Sequence, residues 1–193
     1  MRCFSTLIGR TILCLTWLAI GAIITIDGRA RAIEPETLVQ AEDPIQRGRY
    51  LVTVMDCNGC HTPFVNGEPD MSRMLMGHPQ GERVTEAPSL PTGWDVAISN
   101  TNTAWAGPWG ISFTTNLTPD RSTGIGSWTD EAFLETIRTG KHLGGGRDIL
   151  PPMPWRMYAS LTDFDLKAMF AYLMTIPAIS NQVPQPILAP GNR

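Results

Sequence analysis

Cys57-Asn58-Gly59-Cys60-His61 is the stretch from which the rest of the 193-residue chain is read. Two thiols three positions apart, with an imidazole directly after the second, match the attachment signature of covalent haem. The spacing lets both sulfurs reach the two vinyl groups on one porphyrin edge as thioethers. It also carries the histidine beneath the iron as its proximal ligand. A zinc site would need two further ligands in similar pairing, and none is visible. A redox Cys-x-x-Cys of the thioredoxin kind would sit in a βαβ setting, which the flanks do not offer.

Upstream, Asp43-Pro44 reads as a helix start, with aspartate as the cap and proline in the first turn. The helix from Pro44 to about Met55 brings Gly48, Tyr50, Leu51 and Val54 to one side and runs directly into the haem signature. Gly48 allows another helix to approach closely. Residues 33–42 read as an acidic linker.

The first 32 residues have the form of an export leader or an N-terminal membrane anchor. Arg2 and Arg10 flank the start, Thr11 to Ile26 is mostly apolar, and Ala30-Arg31-Ala32 offers small residues for a peptidase. A helix over residues 11–26 would reach only about 24 Å, short of a hydrocarbon core of roughly 30 Å, which favours cleavage over a tether. Cys3 and Cys14 fall in this segment, so a mature chain would keep just the two cysteines of the signature. Export fits covalent haem assembly, which takes place outside the cytoplasm, and places the domain in the periplasm or anchored facing it.

The net charge is −3. Removal of the four arginines and one aspartate of residues 1–32 takes it to −6. An acidic surface argues against nucleic acid and anionic membrane as partners and permits steering toward a basic protein.

Downstream of His61, residues 62–113 show little helical periodicity and are rich in Gly, Pro and Asn, with Trp94, Trp105 and Trp109. They read as a long irregular insertion with short hairpins, such as 95–99 against 111–115. Residues 116–126 (NLTPDRSTGIG) read as a structural turn-rich loop. Their acidic spacing does not match a calcium loop, and Asn116-Leu117-Thr118 is a weak glycosylation triplet. Thr129 caps a helix from Asp130 to about Thr139, with Phe133, Leu134 and Ile137 as its apolar stripe and Gly140 as its stop. The glycines at 144–146 are read as letting the backbone pass close to the haem plane.

Leu150-Pro151-Pro152-Met153-Pro154-Trp155 is the second informative stretch. Prolines on both sides exclude helix and hold Met153 in an extended segment, its sulfur presented at a fixed target. A thioether opposite the histidine raises the potential. Axial ligands span about 0.8 V across haem proteins. Met71, Met74, Met76, His78, His142 and Met157 are rivals for that position. Arg147, Trp128, Tyr158 and Trp155 are candidates for haem propionate contacts, each with an ordinary packing or surface role as the alternative. Thr162 and Asp165 form a capping-box pattern before a helix from Asp163 to about Thr175, with Leu166, Met169, Phe170 and Leu173 at helical spacing. Residues 178–193 read as a proline-rich tail, extended on the surface.

The order of a capped helix entering CNGCH, a capped helix before a Pro-Met-Pro loop and a closing helix resembles the class I c-type cytochromes. DCNGCHTP, NLTPDRSTGIGSWTDEAFLETIRTG, ILPPMPW and LTDFDLKAMFAYLMTIP carry the likeness. They are similar to single modules of the multihaem cytochrome subunits of periplasmic, membrane-associated dehydrogenases. The resemblance implies an all-α, cytochrome c-like domain over residues 43–177 around one covalent haem c. It implies that Cys57 and Cys60 hold that haem, that His61 is proximal and that Met153 is distal. The chain departs from those subunits in having one Cys-x-x-Cys-His rather than three, and in the insertion.

The function expected is that of a one-electron carrier between a dehydrogenase as donor and an oxidase or another cytochrome as acceptor. The alternative is a haem enzyme or a gas or redox sensor with a labile sixth ligand.

Overall fold

The computed structural model describes residues 24–26, 29–31 and 43–191. The chain divides into two units, Met1–Val39 and Gln40–Arg193. In the first, the backbone forms one antiparallel hairpin, β1 (Ile24–Ile26) with β2 (Arg29–Arg31). The end of the apolar run is therefore extended. The rest of the expected leader and nearly all of the 33–42 linker lie outside the described residues. Among the described residues no helix is long and apolar enough to cross a membrane.

The second unit is framed by five α-helices. α1 (Pro44–Val54) starts where the sequence directs it, with the Asp43 carboxylate accepting the Ile45 N–H at 3.0 Å. α2 (Cys57–His61) follows after a two-residue break at Asp56, whose φ of 53° turns the chain. α3 (Asp130–Thr139) is capped by Thr129 and ends at Gly140 with φ 67°. There the Trp155 ring lies where a Cβ would stand, so glycine is needed for both the turn and the packing. α4 (Trp155–Tyr158) is one turn. α5 (Asp163–Leu173) opens on a reciprocal cap, in which the Thr162 hydroxyl accepts the Asp165 N–H and donates to the Asp165 carboxylate.

The helices close on a single core of Leu51, Val52, Phe133, Ile137, Leu166, Met169, Phe170 and Leu173, joined by Leu75 and Ile125 from the loops. α1 lies directly on α5. A Cβ at Gly48 would collide with the Ala168 carbonyl, and Tyr172 is close by, so the close approach expected at Gly48 is present. Arg47 Nε donates to Asp165 Oδ1 at 2.8 Å across the same crossing.

The all-α expectation needs correction in the insertion. Residues 62–113 contain a hairpin, β3 (Phe64–Val65) with β4 (Glu68–Pro69). They also supply three strands of a four-stranded antiparallel sheet, β5 (Ala97–Ile98), β6 (Ala104–Gly107) and β7 (Gly110–Phe113), with β8 (Ile187–Leu188) as the fourth. Ala104 and Ala106 face in from β6 while Trp105 and Gly107 are only half-buried, the period-two alternation of a strand. That signal covers four residues, too few to stand out among the surrounding glycines and prolines. The expected pairing of 95–99 with 111–115 is also wrong, because β6 lies between them.

The tail is extended and mostly exposed, and it is tied to the domain at two points. β8 pairs with β7, and the buried Asn181 side chain donates to the carbonyls of Met76 and His78 and accepts the Gln80 N–H. Loop 116–126 is structural, as read. The Asp120 carboxylate accepts bonds from the N–H and hydroxyl groups of Ser122 and Thr123, which hold it below the usual carboxylate range. Asn116 is fully buried and bonded to the Ile179 carbonyl, so the glycosylation triplet is inaccessible.

Candidate haem cleft

α2 presents its residues to a cleft between the helices and the end of the sheet. Cys57, Cys60, His61 and Met153 all line it, together with Ile137 of α3 and Leu173 of α5. The cleft and its open mouth hold about 1190 Å³, and most of the lining is apolar. The four residues read from the sequence, separated by up to 96 positions, are thus brought to one wall system.

The haem-signature helix is held from several directions. Asp56 sits against Gly59, where a Cβ would strike its carboxylate, so glycine is the residue that lets this turn close. Asn102 donates to the Gly59 carbonyl, and Gly77 N–H donates to the His61 carbonyl at 2.8 Å. The Thr62 hydroxyl donates to Asn58 and accepts the Leu75 N–H. Residues of the insertion therefore position the signature directly.

His61 is buried, and its Nδ1 is 2.8 Å from the Thr115 carbonyl oxygen. A carbonyl only accepts, so Nδ1 carries the proton and Nε2 keeps its lone pair. Burial pushes the His61 pKa below the ordinary imidazole value. Both features suit a metal ligand, for which a second-shell acceptor fixes the ring and its tautomer. Thr115 was not singled out in the sequence, since a backbone carbonyl leaves no residue-type signal.

Cys57 and Cys60 are free thiols. Burial and the nearby Asp56 charge push Cys57 up to about 12 and raise Cys60 as well. A reactive thiolate site shows the opposite shift, so the pair does not have the environment of a thiol–disulfide redox centre. Among the described residues no cluster of His, Cys, Asp or Glu has the makings of a separate metal site.

Met153 is half-buried against the helical core. Its rivals are placed elsewhere, with one exception. Met71 and Met157 are exposed, and Met74 and Met76 do not reach the cleft. His78 is fully buried with both ring nitrogens bonded, Nε2 to the Glu82 carbonyl and Nδ1 to the Thr103 hydroxyl. His142 does line the cleft, edge-on to Trp128 with ring centroids 5.2 Å apart. Met169 lines it too, a residue read from its helical spacing as core alone. Of the propionate candidates, Arg147, Trp128 and Tyr158 line the cleft, whereas Trp155 packs over Gly140. The glycines at 144–146 do not line the cleft. They close a turn through bonds from Gly144 N–H to Lys141 and Gly146 N–H to His142.

The donor set fits a covalent porphyrin. It comprises two unpaired thiols, an imidazole with a free Nε2 and a thioether around an apolar space. The same wall holds the buried Thr114 hydroxyl, which has no hydrogen-bond partner.

The comparisons point the same way. No family model matches the chain. The fructose dehydrogenase cytochrome subunit of Gluconobacter japonicus is 32% identical over 164 residues, covering 82% of this chain and 28% of that protein. The gluconate 2-dehydrogenase cytochrome c subunit of Pantoea cypripedii is 30% identical over 141 residues, 70% of this chain and 24% of that protein. The chain is homologous to the cytochrome c subunits of dehydrogenases. The quinone alcohol dehydrogenase cytochrome c subunit of Gluconobacter oxydans, 30% identical over 156 residues, covers 81% of this chain and 25% of that protein. The chain spans about a quarter of the length of the relatives it matches.

Proposed function

We propose that the chain carries single electrons on the periplasmic side of the membrane, using one haem c bound through Cys57 and Cys60 and ligated by His61 and Met153. The observation that carries this reading is the convergence of those four side chains on one apolar cleft, with His61 already oriented by the Thr115 carbonyl. The haem supplies a reversible Fe(III)/Fe(II) couple. The protein supplies two strong ligands from two different segments, a rigid backbone on either side of each and an apolar surround that limits water. Held on both sides by His61 and Met153, the haem iron would have no position left for substrate, so the role is transfer rather than catalysis.

The homology to dehydrogenase cytochrome subunits supports a dehydrogenase as the electron donor, with an oxidase or another cytochrome as acceptor. The acidic balance of the chain suits a basic docking face on one of them.

His142 in the cleft keeps the open-site alternative specific enough to test. The test is a reduced-minus-oxidised spectrum with a redox titration, followed by carbon monoxide added to the reduced protein. Six-coordinate spectra, a stable midpoint potential and resistance to carbon monoxide are expected. Rapid carbon monoxide binding would transfer the case to a haem enzyme or sensor.

A further inference from the structure

His78 lies outside the cleft and is fully buried, yet two cleft-lining residues touch it. Its ring meets that of Phe113 at 48°, centroids 4.8 Å apart, and its backbone N–H donates to the Thr114 carbonyl at 2.9 Å. On the ring, Nε2 is 3.2 Å from the Glu82 carbonyl, which only accepts, so Nε2 carries the proton of the neutral imidazole. Nδ1 then keeps its lone pair and takes a bond from the Thr103 hydroxyl at 2.9 Å. The line continues outward. Thr103 Oγ1 is 2.7 Å from Thr101 Oγ1, which is 3.1 Å from Ser99 Oγ. Ser99 and Thr101 are partly exposed and line a surface groove beside Glu82 and Arg83. Three hydroxyls therefore join a buried basic nitrogen to solvent without a break. Asn102, in the same turn, donates to the Gly59 carbonyl of the haem signature.

A hydroxyl can give up one proton while it takes another, so such a line passes protons without leaving charge on any member. In a low-dielectric interior, a charge gained or lost at one group is felt strongly by a titratable neighbour. We propose that the protein takes up a proton with its electron, with His78 Nδ1 as the acceptor and Ser99, Thr101 and Thr103 as the path. The inference rests on the haem reading above. On reduction one electron arrives from the redox partner and Fe(III) becomes Fe(II), a loss of one positive charge in the cleft. One proton enters from solvent at Ser99, each hydroxyl passes one on, and the Nδ1–H bond forms. Reoxidation returns the proton by the same route. Of the groups packed around His78, Phe113, Thr103 and Asn181 are uncharged. The Glu82 charge favours the protonated ring, and Arg83 shares the groove. Burial outweighs Glu82 and holds the ring below the ordinary imidazole value, so the coupling belongs to the acid side of about pH 6.5.

The test uses the full holoprotein as wild type, H78Q and T101V. Midpoint potentials are measured from about pH 4.5 to 8, a range that brackets a depressed imidazole. Reduction favours the protonated ring, so the wild-type midpoint should be level above about pH 7 and rise as pH falls below about 6.5, by up to one proton per electron. H78Q should lose that rise. Nitrogen-15 spectra of the wild type should show His78 Nδ1 titrating at higher pH in the Fe(II) state than in the Fe(III) state, which keeps the test open if H78Q does not mature. T101V should keep the equilibrium rise. After flash reduction at a pH inside the rise, with an indicator dye as the monitor, it should take up its proton about a hundredfold more slowly. A wild-type midpoint without the acid rise, the same rise in H78Q, or equal Nδ1 titrations in the two oxidation states would overturn the coupling. Unchanged proton uptake in T101V would overturn the path. Failure of the haem reading would look different, as wild-type protein without covalent haem.

Discussion

Two regions meet at the cleft and are held by different physics. The helical frame, α1 with α3, α4 and α5, is closed by apolar contacts among side chains at helical spacing, and its ends are set by local caps. The insertion and tail have a much smaller apolar cluster, Ala104, Ala106, Ile111 and Phe113. Their order comes from buried polar side chains bonding over long sequence distances, with Asn181 reaching Met76 and His78 and Asn116 reaching Ile179. The frame supplies Cys57, Cys60 and the apolar floor of the cleft, while the insertion supplies the Gly77 N–H and the segment just after it the Thr115 carbonyl that hold His61. The difference teaches that the insertion is part of the site's support, although its sequence looks like a loose loop.

The largest expected effect would erase the comparison altogether. In C57S/C60S no haem is attached, the cleft has nothing to fill it, and the far-ultraviolet spectrum should lose native helix content. A spectrum identical to the holoprotein would mean that the frame closes without the cofactor. M153L comes next. It should lose the sulfur-to-iron charge-transfer band and lower the midpoint by a sizeable part of the roughly 0.8 V that axial ligands span. Persistence of the band would transfer ligation to another methionine, with Met169 the one already in the cleft.

Two substitutions then separate the regions. N181A leaves buried carbonyls at Met76 and His78 without their donor, at an expected cost of about 2–4 kcal/mol in urea denaturation. Its amide exchange should rise first around residues 76–80, beside the Gly77 bond to His61. G48A forces a Cβ against the Ala168 carbonyl at the α1–α5 crossing, for about 1–3 kcal/mol, and exchange should rise first in those helices. Identical exchange patterns in both variants would remove the distinction.

The smallest effect is a pH dependence. Burial lowers the His78 pKa, so the unfolded chain takes up a proton on this ring before the native state does. Its contribution to stability is therefore complete above about pH 6.5 and declines as pH falls toward the native value, by at most about 1.4 kcal/mol per pH unit. Glu82 faces the ring through its carbonyl and its charge, and H78Q should flatten this part of the profile. An unchanged slope in H78Q would assign the acid sensitivity to other groups.

The three long helices of the frame were legible because each announces itself within a few residues, at Asp43-Pro44, Thr129 to Gly140, and Thr162 to Asp165, whereas the single turn of α4 was not read. Cys57, Cys60, His61 and Met153 stand out because their spacing or flanking prolines have few structural uses, and all four line one cleft. The sheet was not, since its strands are two to four residues long and its register depends on the distant Ile187 and Leu188. Asn181 in a proline-rich tail gave no hint of its buried role, because long-range polar pairing has no local period. The Thr115 carbonyl was invisible for the same reason.

The central claim is one haem stitched into this cleft by two thiols, and mass spectrometry of the denatured protein tests it most directly. Expressed with haem-maturation machinery, the chain should carry the mass of a single haem that survives unfolding and is absent from C57S/C60S. A chain of unmodified mass, or a haem released on denaturation, would contradict the account.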